Sequence, residues 1–439
     1  MTSQPGGCGE VGYWDTCRPL VFFVFNDISN LPPRQTRVTA PAKADGQDLS
    51  AKQSNSNRSA AVDFALTEDQ TLIRDMARKF ADDRLKPNAA KWDEEKYFPV
   101  EVMREAAELG FAGIYTRDDV GGSALSRLDA AIIFEELSRG CVPTAAFLSI
   151  HNMCAWMIDS WGTEEQRQRF LPGMMTMEKI ASYCLTEPGA GSDAAQLRTK
   201  AVRDGDDYVL NGAKAFISGA GTSDYYVVMC RTGGDGPKGI STIVVEKDTP
   251  GLSFGANERK MGWNAQPTRV VTFEDCRVPA ANLLAEEGMG FTLAMKGLNG
   301  GRINIGACSL GGATEAFELA KDYVGTRKQF GREIGQFQVT QFKLADMATE
   351  LEASRMMLYR GAAAIDAGDP SAAKYCAMAK RFATDTCFDV ANQALQLHGG
   401  YGYLQDYPLE RIVRDLRVHQ ILEGTNEIMR VIIAKDVMR

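Results

Sequence analysis

Tyr208-Val-Leu-Asn-Gly-Ala-Lys-Ala-Phe-Ile217 breaks the pattern of the chain around it. Aromatic, β-branched and aliphatic residues flank an Asn211-Gly212 pair, which predicts a β-hairpin with a tight turn. The runs 225–230, 241–246 and 269–273 are also short and rich in β-branched or aromatic residues. Gly and Pro clusters, such as that at 233–239, separate them. Together they mark a strand block between about 180 and 285.

Outward from this block the periodicity is helical. Upstream, Thr67-Glu-Asp-Gln70 has the form of a capping box, which satisfies backbone N–H groups that a helix start leaves free. Leu72, Ile73, Met76, Ala77 and Phe80 follow at the spacing of one helix face. Helical patterns continue through 100–109, 127–138, 144–160 and 164–171, and beyond the strand block through 291–325, 338–367, 371–397 and 408–437. Helices, then strands, then helices predict an α+β, mostly helical chain; a doubly wound sheet would alternate the two throughout. The expected divisions are a flexible extension over 1–62, a helical domain over 63–180, a β-domain over 181–288 and a helical bundle over 289–439.

The 439 residues suit about three domains. Hydrophobic residues at 44% and charged residues at 24% are globular usage, which excludes wholesale disorder. Lys and Arg number 49 against 57 Asp and Glu, a net charge of −8. That is the wrong sign for a chain whose default partner is nucleic acid or an anionic membrane. The ten cysteines are scattered with no Cys-x-x-Cys pair, as in a protein whose thiols stay free in a reducing compartment. His151, His398 and His419 lack metal-ligand spacing, so no metal is expected.

Residues 1–60 are rich in Gly, Pro, Ser, Asn and Gln. Their apolar run at 20–25 falls short of the roughly 20 residues that span a bilayer. Arg18, Arg34 and Arg37 are matched by Glu10, Asp15 and Asp27, unlike an acid-poor presequence. The segment reads as a solvated extension, with a weak targeting peptide as the alternative. Bacterial cytoplasm and mitochondrial matrix both fit, and the balanced start favours the former.

Four constellations carry candidate chemistry. Tyr183-Cys-Leu-Thr-Glu-Pro-Gly-Ala-Gly-Ser-Asp193 opens the strand block. Its Gly189 and Gly191 let backbone approach a flat or phosphorylated ligand, and Thr186 and Ser192 offer hydroxyls. A plain Gly-Pro turn is the structural alternative. Gln396-Leu-His-Gly-Gly-Tyr-Gly402 lies between helical stretches, where glycines cap a helix or present N–H groups to a phosphate. No Gly-Lys-Ser/Thr follows, so it is not a P-loop, and His398 alone reads as structural.

In Ile421-Leu-Glu-Gly-Thr-Asn-Glu427, Glu423 follows an apolar pair. Desolvation there raises a carboxylate's pKa towards the range of a general base. The bland alternative, complementing the helix dipole, suits Glu427 better. Finally, Gly300 and Gly301 in Asn299-Gly-Gly-Arg302 cost a helix about 1 kcal/mol each relative to Ala, so something is expected to pack closely there. Arg327, in Arg327-Lys-Gln-Phe330, either clamps a pyrophosphate with its planar fork or is simply solvated.

In this order the motifs resemble the acyl-CoA dehydrogenase family, over about residues 63–439. The family's two signature stretches resemble 184–196 and 396–415. The second fits throughout, including Asp406, Arg411 and Asp415. The first departs at Gln196, where a small residue is usual, which bears on packing behind the flavin. The resemblance implies a helical N-terminal domain, a central β-barrel or sandwich domain, and a C-terminal four-helix bundle. It also implies FAD in a cleft between β-domain and bundle, and a homotetramer. The implied reaction is FAD-dependent α,β-dehydrogenation of a short branched-chain acyl-CoA, isobutyryl-CoA ahead of 2-methylbutyryl- or butyryl-CoA. Electrons would pass to electron-transfer flavoprotein. Reoxidation by O₂, and a non-catalytic acyl-CoA-binding or scaffold protein, are the rival readings.

By the same resemblance, Tyr183, Cys184, Leu185, Thr186 and Ser192 line the flavin with Phe216, Ile217 and Ser218. Arg327, Phe337 and Gln338, with Gln396, Leu397, His398, Gly399 and Gly400, hold the FAD of a neighbouring subunit. Thr425, Asn426 and Glu427 contact FAD at the bundle end. Ser192, Asn299, Gly300, Gly301, Arg302 and Lys435 face the acyl-CoA, although the family pattern has Arg in place of Lys435. Glu423 matches the catalytic base. Some relatives carry that base at the position of Gly301, which has no side chain to serve.

Overall fold

The computed structural model describes residues 64–438. The expectations for 1–62, with Cys8 and Cys17, lie outside these residues. Helix α1 (Glu68–Phe80) starts at the expected capping box, with Thr67 Oγ1 accepting from the Gln70 N–H at 3.1 Å and Gln70 Oε1 from the Thr67 N–H at 3.1 Å. A wide π-helical turn, Ala81–Leu85, leads to α2 (Ala89–Glu95) and α3 (Val100–Glu108). The pairs Ser126/Asp129 and Thr163/Gln166 repeat the capping box at α4 (Arg127–Gly140) and α6 (Glu164–Met175). Each such cap is worth about 1 kcal/mol. Between them α5 (Val142–Trp161) is buried along most of its length, because helices and sheet cover it on several sides.

The strand block forms one eight-stranded sheet. Its members are β1 (Ala181–Cys184), β2 (Lys200–Asp204), β3 (Asp207–Ser218), β4 (Tyr225–Arg231), β5 (Ile240–Glu246), β6 (Leu252–Phe254), β7 (Thr268–Pro279) and β8 (Leu283–Leu284). The order is β6-β7-β3-β2-β4-β5-β8, with β1 parallel to β4.

The hairpin expected at Asn211-Gly212 is not there. Both residues lie inside β3, which runs unbroken from Asp207 to Ser218. The register against β7 slips between Leu210 and Gly212, so the pair makes a bulge. Gly212 takes φ +147°, and a Cβ there would sit 2.7 Å from Thr199 Cα. Asn211 is bonded across the ladder to Asp275, by Nδ2 to Oδ1 at 3.0 Å and by the Asp275 N–H to Oδ1 at 2.9 Å. The chain turns one step earlier, where Asp204 pairs with Asp207 across Gly205, at φ +63°, and Asp206. Glycine at the first position of a two-residue loop is what such hairpins select.

The C-terminal domain is built on α7 (Gly290–Thr326), α8 (Gln338–Asp366) and α9 (Ala372–His398). The expected last stretch, 408–437, is two helices, α10 (Leu409–Arg417) and α11 (Asn426–Val437). Glu423 and Gly424 interrupt it with φ of +56° and +89°, a backbone no helix accommodates.

A buried polar seam ties the segment before β7 to this bundle. The Trp263 N–H donates to Asp415 Oδ1 at 2.6 Å and its indole N–H to His419 Nε2 at 3.2 Å, while Ser309 Oγ lies 2.6 Å from His419 Nδ1. Burial holds His419 down at about 3 and pushes Asp415 up to about 7. All eight cysteines among the described residues are free and buried. No acid, His or Cys cluster there could hold a metal, and no described helix is long and apolar enough to cross a membrane.

Candidate active site

The turn between α10 and α11 carries Glu423 into the interior. A non-glycine residue in the left-handed region costs roughly 1–3 kcal/mol and persists only where its surroundings enforce it. Here two helices do so. From α7, Arg302 Nε donates to the Glu423 carbonyl at 3.2 Å. From α9, Lys380 Nζ donates to the Gly424 carbonyl at 2.9 Å. Thr425 caps α11 by accepting from the Ile428 N–H.

The Glu423 residue is half-buried, but its Oε2 is fully buried and accepts no hydrogen bond. Desolvation pushes the carboxyl up to about 7, against the pull of Arg302 and Lys380. Gly301 explains how the carboxylate fits: a Cβ there would lie 2.5 Å from Glu423 Oε2. The neighbouring Gly300 makes the same room for Arg127, whose Nη1 would be 2.4 Å from a Cβ. Both helix-interior glycines thus have the close neighbour that their cost implied.

Tyr183 on β1 presents a buried phenol with no hydrogen-bond partner, pushed well up by burial and then by Glu423. Cys154 on α5 is raised by burial, with Glu423 again contributing. Five elements therefore converge on one carboxylate: β1, α5, α7, α9 and the α10–α11 turn.

The other expected residues fall into three groups. Cys184, Leu185 and Ile217 are buried, whereas Thr186 and Ser218 are half-buried and Ser192 is exposed. Phe216 is 68% exposed at φ +60°, an aromatic ring held outward at the end of β3. Asn299 Oδ1 accepts from Arg302 Nη1 at 2.7 Å, and Lys435 is exposed.

Arg327, Gln396, Leu397, His398, Gly399 and Gly400 line one cavity of about 380 Å³ with Tyr323 and Tyr401. Phe337 and Gln338 do not line it; the Phe337 ring lies under Arg332 at 4.0 Å. Arg327 is exposed and has no ion-pair partner among the described residues. The His398 ring is held in place: Nδ1 lies 2.9 Å from the Ala394 carbonyl oxygen, and the ring stacks on Tyr323 at 4.3 Å. At the bundle end Glu427 is exposed, and Asn426 is buried with its amide engaged by Lys380, Thr384 and Asp385.

Two polar residues of the interior had escaped the motifs. Lys380 is fully buried, and Arg127 is buried with its guanidinium 3.5 Å from the Tyr115 ring centroid and 4.7 Å from that of Trp156. For Lys380 a signal existed. It shares the spacing of Cys376, Ala383 and Cys387, the inward stripe of α9, where a lysine is out of place. Arg127 stands alone at the first position of α4, with no comparable signal.

Comparison with known proteins fixes the class. The family models for the N-terminal, middle and C-terminal domains of acyl-CoA dehydrogenase match residues 67–178, 182–276 and 288–438. The chain belongs to the acyl-CoA dehydrogenase family, and FAD is the cofactor of that family. The mitochondrial isobutyryl-CoA dehydrogenase of Dictyostelium discoideum is 64% identical over 375 residues, covering 85% of this chain and 90% of that one. The mitochondrial isobutyryl-CoA dehydrogenase of Bos taurus is 59% identical over 376 residues, with coverage of 86% and 90%. The structure of butyryl-CoA dehydrogenase from Megasphaera elsdenii superposes with a TM-score of 0.84 at 38% identity, covering 86% of this chain and all of that one.

The residues present fit FAD. The buried Tyr183 hydroxyl has no polar partner among the described residues, and the outward Phe216 ring at the end of β3 offers an exposed apolar face. The cavity at Gly399 supplies the unpaired cation that a pyrophosphate needs, and at Gly399 and Gly400 a Cβ would meet open space.

Proposed function

We propose that this enzyme dehydrogenates isobutyryl-CoA to methacrylyl-CoA, as in valine breakdown, with Glu423 as the base. The observation that carries the reading is a carboxylate whose Oε2 is desolvated and unpartnered, seated in a notch that only glycine at 301 leaves open. Glu423 accepts the substrate's single α-proton, and the α-carbon's electron pair is delocalised into the thioester carbonyl. The Glu423 N–H makes no hydrogen bond among the described residues, so it is free to donate to that carbonyl oxygen. Such a donor is worth about 3–4 kcal/mol of transition-state stabilisation. Burial brings the acidities of carboxyl and substrate closer together. When bound, FAD supplies the acceptor for the β-hydride.

The short acyl group is supported by the names of the relatives and by the Tyr115–Arg127–Trp156 stack, which fills space beside Gly300. We assign Tyr183, Cys184, Leu185, Thr186, Ser192, Phe216, Ile217 and Ser218 to the flavin of the same chain. Arg327, Phe337, Gln338 and 396–400 are assigned to that of a neighbouring subunit, and Thr425, Asn426 and Glu427 to the bundle end of the cofactor. Ser192, 299–302 and Lys435 are assigned to the acyl-CoA. A homotetramer is supported by exposed apolar side chains on the C-terminal half, Phe330 at 94% and Tyr403 at 82% among them. Electron-transfer flavoprotein is the proposed electron acceptor, and the matrix the proposed compartment if the source is eukaryotic.

The test is anaerobic titration of the purified flavoprotein with isobutyryl-, 2-methylbutyryl- and butyryl-CoA. Bleaching of the flavin band should be most efficient with isobutyryl-CoA. Equal or better bleaching by butyryl-CoA would move the assignment to a straight-chain substrate, and a colourless protein would favour the non-catalytic reading.

A further inference from the structure

We propose that Lys380 is a positioning residue for the base: from the inward stripe of α9 it holds the Glu423–Gly424 turn, and its charge sets how readily Glu423 takes a proton. The inference rests on the reading of Glu423 as the base.

Lys380 is fully buried and has no carboxylate within ion-pair distance among the described residues. Burying an ammonium without a counter-ion costs several kcal/mol, so its hydrogen bonds must be well placed. It donates to the Gly424 carbonyl at 2.9 Å and to Asn426 Oδ1 at 2.8 Å. Asn426 is itself fixed, since its Nδ2 donates to Thr384 Oγ1 at 2.9 Å and to Asp385 Oδ1 at 2.6 Å. Lys380 therefore grips the turn on both sides of Thr425. Arg302 holds the preceding carbonyl, that of Glu423 itself. Both turn residues have positive φ, so the turn needs such clamps to persist.

The electrostatics follow from the same placement. The groups facing Glu423 are Arg302 from α7, Lys380 from α9, Tyr183 from β1 and Cys154 from α5. The last two are neutral, so the two cations alone oppose desolvation of the carboxyl. Burial drives the proton off Lys380, aided by Arg302, while Glu423, then Asp385 and Glu427, hold it on. The balance leaves Lys380 at about 7, the range in which Glu423 itself titrates. A neutral side chain at 380 removes a cation from the base; a permanent cation keeps one there at every working pH.

The test compares Lys380→Met and Lys380→Arg with wild type and Glu423→Gln, all as FAD-loaded protein. The acid limb of kcat/KM reports the free enzyme's base. A second readout needs no turnover: the protonated-carboxyl infrared band of Glu423, identified by its loss in Glu423→Gln, followed against pH. K380M should shift both midpoints to higher pH. It should also lower kcat by about tenfold or more, with KM within about threefold, because the base is misplaced rather than the substrate lost. K380R should leave both midpoints at or below those of wild type. Unmoved midpoints in K380M, or an alkaline shift in K380R, overturn the role of Lys380; if K380M does not fold, Lys380→Gln, also neutral, is read by the same criterion. Turnover in E423Q instead overturns the reading of Glu423 beneath it.

Discussion

The interior around Glu423 and the surface around Gly399 are built on opposite principles. Around Glu423 this chain supplies Arg302 and Lys380 on the turn carbonyls and the Gly301 notch under the carboxylate. Around Gly399 the same chain leaves a 380 Å³ cavity with an unpaired arginine and glycines facing open space. The first region is preorganised, with the cost of desolvation already met on folding. The second is an open surface, which we propose a phosphate-bearing ligand and a neighbouring subunit complete. Proton chemistry tolerates little misplacement, whereas ligand binding tolerates surfaces that adjust.

The sharpest way to break this contrast is to crowd the first region. Gly301→Val puts atoms within 2.5 Å of Glu423 Oε2. We expect kcat to fall about a hundredfold while FAD content, read from the absorbance ratio, stays at wild-type level. A Gly301→Val enzyme with normal kcat would mean that the carboxylate does not work from this notch. On the receptor side, Arg327→Ala removes the one cation of the cavity. FAD affinity should fall about tenfold or more, on the scale of a lost charge-assisted hydrogen bond, with kcat restored at saturating FAD. Loss of kcat at full FAD occupancy would blur the distinction between the two regions.

A third measurement separates them by pH. Glu423 has a raised pKa in the folded chain, so folding favours its protonated form. Its contribution to stability is therefore fully present below the unfolded value of about 4.5 and is lost as pH rises through about 7. Glu423→Gln should accordingly gain more in Tm, relative to wild type, at pH 8 than at pH 5; a pH-independent difference would argue against a desolvated carboxyl. The smallest effect should come from Gly399→Ala. The position has open space at φ +60° and ψ −136°, so only backbone strain is added, about 1–3 kcal/mol in urea unfolding.

Much of this was legible in the chain. The change from helical to strand periodicity and back located the sheet, and the capping box at Thr67 marked the start of α1. Gly300 and Gly301 announced close packing through their cost alone. Asn211-Gly212 misled for a physical reason. The pair is usually a turn because both residues tolerate unusual φ, but here only Gly212 uses that freedom, for a bulge against Thr199. Local chemistry stated that something irregular happens at this position and could not state what. Arg127 was missed because buried charge is a property of the assembled interior, and nothing next to it in sequence shows what will cover it; Lys380 left only the faint signal of a lysine at the spacing of Cys376, Ala383 and Cys387.

The most direct test of the account is a single-turnover one. FAD-loaded wild type and Glu423→Gln are mixed anaerobically with excess isobutyryl-CoA, and the flavin band is followed in time. Wild type should bleach rapidly and Glu423→Gln at a rate at least about a thousandfold lower, with the acyl-CoA still bound. Bleaching of Glu423→Gln within about tenfold of wild type would contradict it, because general-base catalysis by this carboxylate is worth more than that.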